Sequence, residues 1–467
     1  MHWHSHGVGS PSPGPWRRPA RGAMLSSHAS TLSLSGASSG SDGSAGLSGG
    51  EGEGRDEMAA TVDEGLPPSR SPLPLEDGGD GVAHGSQAKE WEAALLVTGT
   101  AVGGGSLALP YFCAAGGFLP AVSLLLVSYT ALLGSAWLLV EPTIRVWEDK
   151  PGSAVSMHSV VDTYLGKYWG VAAGVTFWVL INCTLVSQLA KCGELAALMS
   201  GGALHSRIGS IASALVVAGF SFNRGAGKVN ALATGGLFAA FGLACVAGAP
   251  GVSTQLLLAG NMAAALPALP AILQTMTYAE AIPTVVDMCR GSRTKVRRVL
   301  MLGSLGPTVM YSLWLAVTLG RRELATFGAT GGDLAGKILS DGGMLGVATG
   351  AIAVFASIST LIGCYLALSR FMADTFSLPL SNTCVKLVAA TVVPSALISL
   401  KGPELYYIMI KFAGCVPVAF LWGVLPPLVM WTMWRGDHAL TLPRKLFLAA
   451  GCGASTVAMV VGGYYMC

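Results

Sequence analysis

Charged residues are scarce in this sequence. Only 11% of its 467 residues are Asp, Glu, Lys or Arg, whereas about a quarter of a soluble domain is charged. The ten cysteines include no CxxC pair, and no HExxH motif occurs. A zinc site, a disulfide framework, a soluble enzyme and a nucleic-acid-binding protein are therefore not expected, and nothing indicates a cofactor. With 52% hydrophobic residues, the chain is predicted to be an all-α polytopic membrane protein.

The charge is distributed unevenly along the chain. Residues 1–90 hold 6 Lys or Arg and 11 Asp or Glu, and the remaining residues hold 22 and 14. Gly, Ser and Pro dominate residues 1–90, which cannot bury enough apolar surface to offset the entropy lost on ordering. This segment is predicted to be a disordered tail. Its first fifty residues include Arg17, Arg18 and Arg21, thirteen serines and one acid, Asp42, a composition that resembles an organellar transit peptide. A plain cytosolic tail is the alternative.

Long apolar segments follow the tail. A membrane-spanning helix needs about 20 mostly apolar residues, and about eleven segments meet that condition. They lie at 92–114, 118–141, 168–190, 207–222, 229–249, 262–287, 298–320, 343–369, 384–400, 406–433 and 443–466. Because lipid offers no hydrogen bonds to the backbone, each should be helical wherever protein or a wet cavity does not shield it.

Loop charges support this number of spans. With the tail on the cytosol-like side, the loops on that side carry fifteen Lys or Arg and the opposite loops carry five. This contrast follows the bias of basic residues toward the inner side of a membrane. A missed or invented span would have inverted the later loops and blurred the contrast.

The first span contains the run Gly103, Gly104 and Gly105, followed by Ser106. Three successive glycines weaken a helix and permit unusual backbone angles. The run predicts an unwound segment in the middle of the span, whose free backbone N–H groups would suit a carboxylate. Close packing of helices through small residues is the alternative.

The sixth span is also interrupted. Pro267 and Pro270 precede a polar run that ends at Pro283, and each proline removes a backbone donor and disrupts a helix. The two interrupted spans each open a set of five, at 91–249 and 262–434, with an extra helix at 443–466. Because each half contains an odd number of spans, five, the two halves would have opposite orientations in the membrane. Interrupted helices at corresponding positions of two halves indicate a transporter site near the middle of the membrane.

Two motifs carry a resemblance to a known family. The run GTAVGGGSLALP at 99–110 resembles the first-span signature of the aromatic amino-acid permeases, the tryptophan/tyrosine permease family, usually written GTxIGAGMLALP. Gly303, Ser304 and Pro307, with Tyr311 and Trp314, resemble the seventh span of that family. The resemblance covers about 91–466. It implies a LeuT-type five-plus-five inverted-repeat fold and import of an amino acid driven by a cation gradient, usually of protons.

One position departs from the family pattern. The family commonly has a histidine four residues before the sixth-span proline, where this chain has Ala279 followed by Glu280. Any role of that histidine in coupling or in substrate binding is therefore not carried over to this chain.

These arguments predict a set of site residues. Gly103, Gly104 and Gly105 would bind the substrate carboxylate through the backbone. Thr100 and Ser106 would add hydroxyl contacts, and Asn182 and Gln188 would line the cavity. Tyr278 would help form a side-chain pocket, together with Met276, Phe355 and Tyr365. Each apolar residue has core packing as its alternative role.

The predicted coupling residues are Glu280, Ser357, Ser359 and Thr360. A carboxylate within a span is by default a hypothesis for a functional site, so Glu280 is a candidate proton carrier. The alternatives are a fixed pairing to Lys191 or Lys411, or simple exposure to the cavity. In sodium-coupled members of the implied fold, eighth-span hydroxyls join first-span carbonyls around the ion. The alternative is a bond from each hydroxyl to its own helix. Lys191 and Glu194, spaced i and i+3, are expected to pair.

The resulting hypothesis is a secondary transporter that imports an aromatic or other neutral amino acid by cation symport. A membrane sensor or receptor that binds an amino acid without transporting it is the second hypothesis, and an intramembrane enzyme is the third. The predicted partners are the amino acid, the cation and the lipid bilayer. The oligomeric state and the membrane stay open, with an organellar inner membrane such as that of a plastid, the plasma membrane and the vacuolar membrane as alternatives.

Overall fold

The computed structural model describes residues 81–149, 155–221, 226–376, 388–437, 441–446 and 448–453. The regular structure of these residues is entirely helical. The helices are α1 (Gly81–Ala101), α2 (Leu109–Cys113), α3 (Phe118–Asp149), α4 (Met157–Leu165), α5 (Lys167–Met199), α6 (Ser206–Ser221), α7 (Ala226–Gly248), α8 (Thr254–Leu258), α9 (Met262–Ala265), α10 (Leu269–Thr275), α11 (Ile282–Met288), α12 (Arg293–Leu319), α13 (Arg322–Ala329), α14 (Leu334–Asp341), α15 (Gly343–Phe376), α16 (Val393–Ser399), α17 (Leu405–Ala413) and α18 (Leu425–Gly436). A segment of π-helix at Gly414–Val424 joins α17 to α18.

Six stretches of the described chain are long and apolar enough to cross a membrane, and a bent pair formed by α1 and α2 makes a seventh. The six are Phe118–Asp149, Lys167–Met199, Val229–Gly251, Arg293–Leu319, Gly343–Ser369 and Leu405–Gly436. The protein is thus an integral membrane protein with several spans. Apolar helices of 10–17 residues at Ser206–Gly219, Met262–Thr275 and Ala390–Ser399 coincide with three further predicted spans. Most of the predicted span at 443–466 lies outside the described residues, as do residues 1–80 of the predicted tail.

The start of α1 differs from the sequence expectation. The helix begins at Gly81, so the last ten residues of the predicted tail, 81–90, are helical. Glu90 explains part of this extension, because its carboxylate pairs with Lys295 at 3.2 Å and with Arg298 at 3.6 Å, both near the start of α12. These ion pairs connect the middle of α1 to the first turns of α12, two segments that are far apart in the sequence.

Close packing of α1 against α12 explains the glycines of the seventh-span motif. A Cβ atom on Gly303 would lie 2.6 Å from the Val97 Cβ, and one on Gly306 would lie 2.8 Å from the Thr98 Cγ2. The Thr98 hydroxyl donates a hydrogen bond to the Gly303 carbonyl oxygen at 2.8 Å. Small residues let two helix backbones approach closely where lipid supplies no hydrophobic drive for association.

The centre of the bundle contains unusually large buried side chains. Trp314, Tyr278, Tyr311 and Tyr406 are all almost fully inaccessible to solvent. The Trp314 ring meets the Phe241 ring edge-on, with 6.0 Å between ring centroids, a favourable aromatic geometry. Two of them, Tyr311 and Tyr406, also form hydrogen bonds to the backbone of the interrupted spans.

Candidate functional site

The first interrupted span is unwound at its glycines. Helix α1 ends at Ala101, Gly103 is extended with φ −137° and ψ −167°, and a short 3₁₀ turn over Gly104–Leu107 leads into α2. The chain bends by 48° at this break. The unwound segment predicted from the triple glycine is therefore present.

Side chains from three other helices bind the backbone of this segment. The Gly104 N–H donates to the Thr360 hydroxyl at 2.8 Å, and the Gly104 carbonyl oxygen accepts from the Tyr406 hydroxyl at 2.5 Å. The Tyr311 hydroxyl lies 2.8 Å from the Ala101 carbonyl oxygen and 3.2 Å from that of Thr275, so it bridges the two interrupted spans. Backbone groups freed by the break thus find partners in the protein, as lipid requires.

The three glycines also have no room for a side chain. A Cβ on Gly104 would overlap the Gln188 carboxamide, one on Gly103 would lie 2.5 Å from the Thr360 hydroxyl, and one on Gly105 would lie 2.5 Å from the Thr275 Cγ2. Unwinding and close packing, which the sequence offers as alternatives, therefore both occur at this run.

The sixth span is divided into short pieces. Helix α10 ends at Thr275, a 3₁₀ turn covers Ala279–Ala281, and α11 begins at Ile282. The Gln274 amide group donates to the Thr184 hydroxyl on α5 at 3.2 Å. The polar run therefore leaves the helix just after Thr275, one residue past its contact with α5.

A cavity of about 700 Å³ lies between the two breaks. Its lining extends from Gly104 back along α1 to Leu95 and Glu92, which are exposed, and also includes His158 and Phe371. The cavity therefore opens at the end of the bundle where α1 begins. Its volume is in the range of small-molecule sites.

Comparison with known proteins identifies the family. The family model for tryptophan/tyrosine permeases matches residues 86–465. The chain belongs to the tryptophan/tyrosine permease family. This confirms the resemblance seen in the two motifs, and because the family consists of transporters, the hypothesis of an intramembrane enzyme is discarded.

Several bacterial relatives are similar to this permease. The "Low affinity tryptophan permease" of Escherichia coli K12 is 25% identical over 379 residues, which is 73% of this chain and 89% of the relative. The "Tyrosine permease" of Enterobacter agglomerans is 25% identical over 365 residues, 72% of this chain and 85% of the relative. The "Tryptophan-specific transport protein" of Haemophilus influenzae is 25% identical over 366 residues, which is 72% of this chain and 85% of the relative. Amino-acid transport is thus the activity that the relatives indicate for this permease.

The cavity brings together eight of the residues predicted for the site. They are Thr100, Gly103, Gly104, Gly105, Gln188, Glu280, Ser359 and Thr360. They come from α1, the unwound segment, α5, the sixth-span turn and α15, which are far apart in sequence. The hydroxyl of Thr100 also bonds to the Leu96 carbonyl oxygen of its own helix, at 2.7 Å.

Four predicted residues lie outside the cavity lining. Ser106 is fully buried. Asn182 donates to the Trp178 carbonyl oxygen at 2.8 Å and accepts from the Ser395 hydroxyl at 3.1 Å. Tyr278 packs against Trp422, with 5.4 Å between ring centroids. Ser357 is buried two residues from Ser359, a spacing that places the two hydroxyls on opposite sides of α15.

The apolar wall of the cavity differs from the predicted side-chain pocket. Its aromatic members are Phe177, Phe238, Phe371 and Trp422, whereas Met276, Phe355 and Tyr365 are not part of the lining. The Phe177 and Phe371 rings lie 5.1 Å apart between centroids. Sequence reasoning missed this wall because an aromatic residue in an apolar span carries no signal that separates cavity from core.

Glu280 lies at the cavity surface. Its side chain is partly exposed, and within the described ranges it makes no ion pair. Lys191, one of the two alternative partners, pairs with Glu194 and Asp333 instead. The position is therefore consistent with a group that exchanges a proton or meets a substrate.

The hydroxyl of Ser359 belongs to a polar cluster with α7. Ser359 donates to the Asn230 carboxamide oxygen at 3.2 Å and shares a hydrogen bond of 3.1 Å with Thr234. A Cβ on Gly99 would lie 3.0 Å from the Thr234 Cγ2, so α1 touches the same cluster. These contacts extend beyond the back-bonding within one helix that the sequence offers as the alternative for this serine.

Proposed function

We propose that this permease is a secondary active transporter that imports an aromatic or other neutral amino acid together with a cation. We propose that this cation is a proton. The observation that carries the proposal is the cavity between the two interrupted spans, which is lined by polar groups at one end and by aromatic rings along its wall. The names of the relatives, which refer to tryptophan and tyrosine, support an aromatic substrate.

Two buried oxygens on the cavity wall favour a zwitterionic substrate. The carboxamide oxygens of Gln188 and Gln274 have no hydrogen-bond partner among the described residues. Such oxygens only accept hydrogen bonds, and a buried acceptor without a donor is unfavourable. The ammonium group of an amino acid would supply the missing donors. Its carboxylate would accept from the backbone of Gly103 and Gly105 and from the Thr360 hydroxyl, because the Gly104 N–H already donates to Thr360.

The aromatic wall suits the remaining part of such a substrate. Phe177, Phe238, Phe371 and Trp422 present flat apolar surfaces, and aromatic rings pack favourably edge-to-face or in offset stacks. We propose that the substrate side chain enters this part of the cavity and that its polar end faces the break.

We propose that transport proceeds by alternating access around this site. The five-plus-five repeat and the eleven spans predicted from sequence would let one bundle rock against the other. The cavity opens at the end where α1 begins, which is the tail side with the basic loops. The structure is thus proposed to represent the state that releases substrate on that side.

For coupling, Glu280 is the proposed proton carrier. The Ser359 cluster and Thr360 are the residues that would bind sodium in its place, as the implied fold suggests. Uptake measured with a proton gradient, a sodium gradient or neither distinguishes the two cations. Equal uptake with and without sodium would remove the sodium site from the proposal.

Reconstituted full-length protein tests the function. Uptake of labelled tryptophan and tyrosine into proteoliposomes, driven by an inward proton gradient, is the expected result. Specific binding without accumulation would instead support the sensor hypothesis, which stays open because Ala279 stands where the family commonly has a histidine. A screen of other neutral amino acids by competition then identifies the substrate.

The membrane in which the protein resides is a separate proposal. We propose an organellar inner membrane, on the transit-like composition of the first fifty residues. A fluorescent fusion that retains residues 1–90 and one that lacks them should localise differently. Identical labelling of the plasma or vacuolar membrane by both fusions would contradict this proposal.

A further inference from the structure

A buried lysine lies on the opposite side of the break from the cavity mouth. Lys191 follows Gln188 by three residues on α5, and Gln188 contacts Gly104 in the unwound segment. Helix α5 begins beside α4, close to the mouth, and ends at Met199. We call the end of the bundle at Met199 and α14 the far end.

Two carboxylates hold this lysine. The Lys191 ammonium group lies 3.0 Å from a Glu194 carboxylate oxygen and 3.0 Å from an Asp333 carboxylate oxygen. The Lys191 side chain is fully buried, whereas those of Glu194 and Asp333 are 23% and 24% exposed. The far-end surface therefore exposes part of each carboxylate but none of the lysine.

Asp333 brings in a separate segment of the chain. One of its carboxylate oxygens accepts a hydrogen bond from the Ala335 N–H at 3.1 Å and so caps α14. Helices α13 and α14 form the connection between the long helices α12 and α15. The ion pair with Lys191 thus joins this connection to α5, and the pairing depends on residues 142 positions apart.

The same lysine contacts the substrate site through a tyrosine. Its ammonium group lies 5.1 Å from the centroid of the Tyr406 ring and 5.8 Å from that of Tyr407, a cation–π arrangement. The Tyr406 hydroxyl donates to the Gly104 carbonyl oxygen. The position of Lys191 is therefore linked, through one side chain, to the backbone of the unwound segment.

An ion pair is suited to a closure that must reopen. The attraction between buried charges is largely offset by the loss of their hydration. Separated and hydrated ions therefore compete closely with the buried pair. An apolar contact of the same area would favour the closed state more strongly, because opening it exposes apolar surface to water.

From these contacts we infer that Lys191, Glu194 and Asp333 form a latch that closes the far end of the substrate cavity, and that the Lys191–Asp333 pair separates when the cavity opens there. This inference rests on the proposed transport function. Lys191 acts as a positioning residue that sets Tyr406 and, through it, Gly104.

The test uses Asp333→Asn with Asp341→Asn as its matched control. Asparagine keeps the helix cap of α14 but removes the charge that faces Lys191. Asp341 lies on the same helix and pairs with the exposed Lys337, outside the latch. The full-length proteins are reconstituted in vesicles of one orientation, and a membrane-impermeant maleimide is added only on the side of the far end.

The measured quantity is the labelling rate of Cys364, a native residue of the cavity lining, determined by peptide mass spectrometry. We expect Asp333→Asn to raise the labelling rate of Cys364 at least threefold above that of the wild type. Asp341→Asn should be labelled at the same rate as the wild type. Asp333→Glu, which retains the charge, should return the rate toward that of the wild type.

Equal labelling of Cys364 in the wild type, Asp333→Asn and Asp341→Asn would overturn the latch. If Asp333→Asn is not recovered as monodisperse protein, Glu194→Gln is measured in the same assay, with the same expected increase and the same contradicting result. Labelling requires neither substrate nor uptake, so a failure of the latch is separate from a failure of transport by the wild type.

Discussion

The Tyr406 hydroxyl donates a hydrogen bond of 2.5 Å to the carbonyl oxygen of Gly104, 302 positions earlier in the chain. Gly104 also donates its N–H to the Thr360 hydroxyl. Both backbone groups of the central glycine are therefore engaged by helices of the second half of the chain. The shape of the predicted carboxylate site depends on these two side chains as much as on the glycine run.

Tyr406→Phe should weaken substrate binding. The variant keeps the ring beneath Lys191 and removes only the hydroxyl, which leaves the Gly104 carbonyl oxygen without this partner. A hydrogen bond of this kind contributes about 1 kcal/mol, so we expect the apparent KM for uptake to rise about fivefold. Tyr168→Phe, at a fully exposed tyrosine, is the control. A KM equal to that of the wild type would show that the bond does not shape the site.

Gly104→Ala should abolish uptake while the protein still reaches the membrane. The added methyl group would overlap the Gln188 carboxamide and displace either that side chain or the unwound segment. We expect more than a tenfold loss of tryptophan uptake in proteoliposomes. Gly134→Ala on α3, where nothing lies within 4 Å of the new Cβ, should transport normally. Normal kinetics in Gly104→Ala would contradict the binding role of this segment.

Gln274→Met should lower the affinity for amino acids. Methionine has a similar length but lacks the oxygen that we assign to the substrate ammonium group. Because that bond would be charge-assisted, at about 1.5–3 kcal/mol, the dissociation constant measured by calorimetry should rise at least tenfold. Gln255→Met, at an exposed position on α8, is the matched control. Unchanged affinity in the Gln274 variant would place the ammonium elsewhere.

Glu280→Gln should separate substrate binding from proton coupling. The amide keeps the size and polarity of the side chain but cannot release a proton. Uptake driven by a pH gradient should fall at least tenfold, while exchange of labelled for unlabelled substrate at equal pH should persist. Glu323→Gln, on the exposed side of α13, should change neither measurement. Undiminished pH-driven uptake by Glu280→Gln would remove the proton role.

The ion pair between Arg145 and Asp437 should make stability depend on pH. The Arg145 guanidinium, 2.8 Å away, holds the pKa of the Asp437 carboxyl below its ordinary value by hydrogen bonding. A carboxyl with a lowered pKa in the folded state stabilises that state at pH above its unfolded pKa of about 4. The stabilisation is lost as the pH falls through the lower folded pKa.

The wild type should therefore unfold at a slightly higher temperature than Asp437→Asn at pH 7. An exposed pair contributes at most about 1 kcal/mol, so the difference will be small, and it should be smaller at pH 3 than at pH 7. Thermal unfolding in detergent at both pH values, with Asp341→Asn as a reference, measures it. A difference that persists undiminished at pH 3 would exclude the ion pair as its cause.

The sequence by itself determined that the protein is helical and lies in a membrane, because long uncharged segments are stable only where backbone groups bond internally in lipid. It also determined the two interruptions, since glycine and proline act locally on the backbone. The triple glycine and the seventh-span residues were sufficient to indicate the family. The pairing of Lys191 with Glu194 was likewise predictable, because i and i+3 residues face each other on one helix.

Only the tertiary structure decided which side chains meet. Asp333 reaches Lys191, Tyr406 reaches Gly104, and Ser359 rather than Ser357 lines the cavity, because these contacts depend on how distant helices rotate and pack. An apolar helix shows no polar face from which that rotation can be read. For the same reason the aromatic wall and the unpartnered oxygen of Gln274 became visible only in the folded chain.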